Sequence, residues 1–156
     1  MKNFKVLVVD NDDDVAFVIQ QILEARGYEA KRAHGYEEGY ESFISFRPDL
    51  VITDIMIGKE DGLKLMDYIR NFAPNIGTIY MTAALNRCQA LLEKEMKRHR
   101  ASCLEKPFAG TDLLRLVHAY EHGGQSGMAK PAKKLRTRNV AGDVLENTSA
   151  LESPNN

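Results

Sequence analysis

At 156 residues the chain has material for one compact domain and not comfortably for two. Hydrophobic residues at 44% and charged residues at 28% are ordinary for a globular protein, and 21 Lys and Arg against 22 Asp and Glu exclude both a globally basic nucleic-acid binder and a globally acidic tail protein. No apolar run approaches the roughly 20 residues of a membrane span, the N-terminus lacks the long apolar core of a secretory signal, and Cys88 and Cys103 form neither a CxxC nor a His/Cys metal spacing, so they read as reduced thiols of a cytoplasmic protein.

Lys5–Val9 is the first expected strand, and its continuous run Val6-Leu7-Val8-Val9 is the pattern of a parallel strand covered on both faces. Val15, Val18, Ile19, Ile22 and Leu23 follow at helical spacing, with Gly27 where such a helix would close. Glu29–Ala33 is a more polar strand, suited to a sheet edge. Tyr36, Tyr40, Phe43 and Ile44 mark a second helix with Pro48 just past its end. Leu50–Thr53 is a third strand, again without alternation. Leu65, Met66, Ile69 and Phe72 mark a third helix stopped by Pro74. Ile76–Met81 is a fourth strand, Leu85, Cys88, Leu92 and Met96 a weaker fourth helix, Ser102–Leu104 a fifth strand, and Leu113, Leu116, Val117 and Tyr120 a fifth helix. The helix stripes are read as core.

This alternation predicts the α/β class: a (βα)5 unit whose right-handed crossovers build a doubly wound, five-stranded parallel sheet. Composition shifts at Gly123-Gly124. Residues 123–156 carry five Lys or Arg, three Asp or Glu and few large apolar side chains, so 1–122 is the expected globular domain and 123–156 a flexible tail. The basic cluster from Lys130 to Arg138 is read as a solvated linker, and no helix-turn-helix pattern follows residue 122. The charged run Glu93 to Arg100 is read as a solvated helix face. His34, His99, His118 and His122 are read as surface residues without ligand spacing.

In doubly wound sheets ligands bind outside the carboxyl ends of the strands. Here the first strand ends in Asp10-Asn11-Asp12-Asp13-Asp14, the third in Asp54 and the fourth in Thr82, and the fifth runs into Lys106-Pro107-Phe108. Clustered carboxylates are tolerable when a hard divalent cation neutralises them, and Mg²⁺ takes oxygen ligands while keeping several waters. A lysine and a hydroxyl nearby would receive phosphoryl oxygens, and a carboxylate can itself be the nucleophile, giving an acyl phosphate. Asp12, Asp13 and Asp14 are read as capping and first-turn acids.

The arrangement resembles the receiver domain of two-component response regulators, the flavodoxin-like fold of CheY-like proteins. The carriers are VLVVDND (6–12), PDLVITDIM (48–56), DGL (61–63), YMTA (80–83) and KPF (106–108), in order and each at or near a strand end. The resemblance implies that Asp54 accepts a phosphoryl group from a histidine kinase or phosphotransfer protein. It implies that Asp10, Asp54 and the carbonyl of Met56 hold Mg²⁺, with Asn11 in the place of a second acid, and that Thr82 and Lys106 bind phosphoryl oxygens. Pro107 would follow a cis peptide bond. A stand-alone receiver of this kind has no DNA-binding domain, is not an enzyme in the ordinary sense, and signals by contact with a downstream protein target; a homodimer stays open. Three positions depart from the family pattern: Asn11 for an acid, Gly58 for a proline and Cys103 for an aromatic residue. They favour an alternative, a receiver-like binding module that works without phosphorylation, with Cys103 as a buried small residue.

Two further readings fail on particular residues. A haloacid-dehalogenase reading of Asp10-x-Asp12 meets Asp14 where Thr or Val belongs, and leaves Asp54 without a role. An EF-hand reading meets Val15 at the glycine position and Gln21 at that of the bidentate Glu.

Overall fold

The computed structural model describes residues 2–123. Its strands are β1 (Lys5–Val9), β2 (Glu29–Ala33), β3 (Leu50–Asp54), β4 (Met56–Ile57), β5 (Glu60–Asp61), β6 (Gly77–Thr82) and β7 (Ala101–Glu105). Its helices are α1 (Asp13–Glu24), α2 (Tyr36–Phe46), α3 (Gly62–Arg70), α4 (Leu85–Arg98) and α5 (Gly110–Glu121). Five parallel strands form one sheet in the order β2-β1-β3-β6-β7, the doubly wound architecture expected from the sequence. The tail expected over 123–156 lies, from residue 124 on, outside the described residues.

The described chain divides into two compact units, the first ending at Tyr80 and the second beginning at Met81. In the first, β1 lies between β2 and β3, with Val6 level with Ala30 on one side and Leu50 on the other. Val6, Leu7, Val8 and Val9 are all fully buried, which is why the run has no polar alternation. Each such side chain is worth about 1.5–3 kcal/mol of burial. Lys5 and Asp49 set the register by a reciprocal pair: the Lys5 amide donates to the Asp49 carboxylate at 2.9 Å, and the Asp49 amide to the Lys5 carbonyl at 2.8 Å.

Helix α1 starts where Asp12 accepts the amides of Asp14 and Val15, at 3.1 and 3.3 Å, with Asp13 and Asp14 in the first turn, as expected of capping acids. Past its last residue, Glu24, the chain turns at Gly27 (φ 89°) in a Schellman arrangement, with Tyr28 N–H on the Leu23 carbonyl and Gly27 N–H on that of Glu24. Gly39, inside α2, lets that helix press on β1: a Cβ there would stand 3.2 Å from both Val9 and Leu65 side-chain carbons. Two stripe residues leave the expected core. Phe72 lies beyond the end of α3 and is 62% exposed, and Ile44 is 51% exposed.

In the second unit, α5 buries Leu113, Leu116, Val117 and Tyr120. The Tyr120 hydroxyl meets the Ser102 hydroxyl of β7 at 3.0 Å, and the Arg100 guanidinium lies 5.4 Å from the Tyr120 ring centre. Of the α4 stripe, Leu92 alone is fully buried; Leu85, Cys88 and Met96 are half-buried.

Candidate functional site

Asp10 and Asp54 are neighbours by register. Val9 pairs with Thr53 at the end of the β1–β3 ladder, so the next residue of each strand is an aspartate. Adjacent strands stand about 4.8 Å apart. Asp10 is buried at 1% exposure, and Asp54, the last residue of β3, is half-buried. Each carboxylate is held by the amide two residues on: Asp12 N–H donates to Asp10 Oδ1 at 2.9 Å, and Met56 N–H donates to Asp54 Oδ1 at 3.1 Å. These Asx turns fix the side chains at the strand ends.

The DGL motif sets the position of Asp54. Asp61 caps α3 by accepting the Leu63 amide at 2.8 Å. Gly62 then brings the helix start against β3, donating its amide to the Ile55 carbonyl at 2.6 Å. A Cβ on Gly62 would collide with the Asp54 carbonyl oxygen and come within 3.1 Å of Thr53 Oγ1. Only glycine permits that approach.

Between Asp54 and α3 the chain forms a small antiparallel hairpin, β4–β5, pairing Met56 with Asp61 and Ile57 with Glu60. Its two-residue turn begins at Gly58 with φ 66°, the position where a tight hairpin turn demands glycine. Asn11 is exposed, and its amide nitrogen lies 3.9 Å from where a Gly58 Cβ would be. Asp10, Asn11, Asp54 and the Met56 carbonyl offer oxygen atoms as ligands. That donor set suits a hard ion such as Mg²⁺.

In the second unit, Thr82 ends β6 at 5% exposure. Its hydroxyl oxygen accepts the Ala84 amide at 3.0 Å and lies 3.7 Å from Cys88 Sγ, while the Cys88 thiol donates to the Ala84 carbonyl at 3.2 Å. Thr82 thus holds the entry to α4 through the Ala84 amide, beside a cysteine that sequence spacing had assigned to a core stripe. Lys106 follows β7 and is half-buried; its amide donates to the Thr82 carbonyl at 2.8 Å. The Lys106–Pro107 bond is cis, and Phe108 is fully buried, which accounts for the apolar end of the KPF motif. Cys103 is buried at 1% exposure, as expected of a small core residue. Burial first, then the nearby Cys88 and Glu105, push its thiol up to about 12. Both cysteines are free.

The chain is similar to known proteins. The sequence model of the family described as "Response regulator receiver domain" matches residues 6–118. Among curated relatives, the alkaline phosphatase synthesis transcriptional regulatory protein PhoP of Bacillus subtilis is 25% identical, covering 92% of this chain and 58% of its own length. The response regulator MprA of Mycobacterium ulcerans is 30% identical, covering 74% and 49%. The chain therefore spans about half to three fifths of such relatives. Among solved structures, a receiver domain from Clostridium thermocellum matches with a TM-score of 0.69 at 25% identity, over 78% of this chain and 97% of that one. A CheY-like receiver domain from Methanospirillum hungatei matches at 0.70 and 23% identity, over 81% and 100%, a likeness of fold.

Proposed function

This chain belongs to the response regulator receiver domain family, and from that premise we propose that it accepts a phosphoryl group on Asp54 from a phosphohistidine donor, a histidine kinase or a phosphotransfer protein. The observation that supports it most is the placement of Asp10 and Asp54 directly after the paired Val9 and Thr53 of adjacent strands, with Gly62 pressed against the backbone of Asp54. A carboxylate oxygen of Asp54 attacks phosphorus, the phosphorus–nitrogen bond of the donor breaks, and the imidazole keeps the electron pair. The product is an acyl phosphate on Asp54. Asp10, Asn11, Asp54 and the Met56 carbonyl would hold Mg²⁺, which supplies neutralisation of the charge shared by carboxylate and phosphoryl group. Lys106 offers its ammonium to one phosphoryl oxygen, and Thr82 exchanges its bond to the Ala84 amide for one to another. Positioning and electrostatics carry the catalysis. The signal leaves through altered contacts with a downstream protein. Treatment with acetyl phosphate and Mg²⁺ should add one phosphoryl group to the intact mass of the wild type and none to Asp54→Ala; equal labelling of both overturns the reading.

A second reading, a binding module independent of phosphorylation, is favoured by the buried Cys103 in the place of the family's aromatic residue and by the uncharged Asn11. Beryllofluoride with Mg²⁺ separates the two. A chemical-shift response at Thr82 and in α4 removes the second reading, and no response removes the first.

A further inference from the structure

We propose that His118, Glu121 and His122 form a binding site for a divalent transition-metal ion of the Zn²⁺ or Cu²⁺ type at the end of α5. The histidines had been read from the sequence as lacking ligand spacing, yet 118 and 122 stand four residues apart, one turn above the other on a helix face, with a carboxylate beside them. The two imidazole rings are 4.2 Å apart between centres, tilted by 40°. Glu121 Oε1 lies 4.0 Å from His122 Nδ1, and one ligand atom from each of the three residues falls within 4.8 Å of the others. Among the described residues this is the one group of three such side chains.

Tetrahedral donors with bonds of about 2.0 Å sit roughly 3.3 Å from one another. All three side chains are exposed, so small rotations close that gap without disturbing the core. His122 Nδ1 faces both the His118 carbonyl oxygen, at 3.1 Å, and Glu121 Oε1, at 4.0 Å, and turning it from the carbonyl presents its lone pair beside the carboxylate. The site also stands at the carboxyl end of a 12-residue helix, where the backbone dipole favours a cation. Two imidazoles and one carboxylate select a borderline ion over Mg²⁺, so this site and the oxygen-only acidic site differ in the metal they prefer. A fourth position is left to water.

The test uses the untagged full chain at neutral pH with Mg²⁺ in excess. Calorimetric titration with Zn²⁺ should give one equivalent bound, and the ring protons of His118 and His122 should shift in NMR spectra. His118→Ala or His122→Ala should weaken binding about tenfold or more, and Glu121→Gln by less, whereas Asp54→Asn and Cys88→Ser should leave it unchanged. Circular dichroism checks that each variant is folded. Binding that survives in both histidine variants, that is lost with Asp54→Asn or Cys88→Ser instead, or that is absent from the wild type overturns the proposal.

Discussion

Gly62 lies against the backbone of Asp54 so closely that a methyl group there would overlap the aspartate's carbonyl oxygen. The start of helix α3 is therefore packed against the end of β3, beside Asp54. Gly62→Ala should force the two apart and destabilise the protein by about 1–3 kcal/mol, as overpacked sites do. Urea denaturation measures this directly. An unchanged midpoint would show that α3 can retreat freely from Asp54.

Asn11 stands beside the acidic pair without a charge of its own. Asn11→Asp should tighten Mg²⁺ binding by about fivefold to tenfold, since each 1.4 kcal/mol of added attraction is a factor of ten. Calorimetric Mg²⁺ titration suits a chain without tryptophan. Equal affinities would mean that residue 11 does not reach the ion.

Thr82 holds the start of α4 through the Ala84 amide. Thr82→Ala removes that acceptor and should cost about 1 kcal/mol, with faster amide exchange over residues 84–88. Thr82→Ser should restore slow exchange. Protection unchanged in Thr82→Ala would contradict the hydroxyl's role.

Cys103 gives a pH dependence whose sign follows from its raised value. The folded protein keeps the thiol protonated up to about 12, against 9.0 ordinarily. Above 9.0 the unfolded chain loses a proton that the native state retains, so this contribution to stability is complete below that pH and declines as pH rises toward 12. Relative to Cys103→Ala, the wild type should lose stability more steeply between those limits. Parallel curves would contradict it.

Much of this was legible in the sequence, and the exceptions have physical causes. β1 and β2 fall where the apolar run and the polar edge pattern put them. β6 is displaced by one residue and β7 extended at both ends; the gained ends Thr82 and Glu105 are polar and carry no hydrophobic signal. The hairpin of β4 and β5 is too short for any period, although Gly58 between Ile57 and Glu60 was its available sign. Asp10, Asp54, Thr82 and Lys106 could be named from strand ends. That the Gly62 backbone braces Asp54 and that Cys88 touches the Thr82 hydroxyl could not, since both depend on approach in space between residues whose spacing in sequence looks like an ordinary cap or an ordinary core stripe.

Reductive trapping tests the central claim most directly. Borohydride converts an aspartyl phosphate to homoserine, so the chain treated with phosphodonor and Mg²⁺ can be reduced, digested and sequenced by mass spectrometry. Homoserine at position 54 and at no other aspartate is the predicted result. Homoserine at Asp10 or Asp12 with residue 54 unmodified would contradict the assignment of the acceptor.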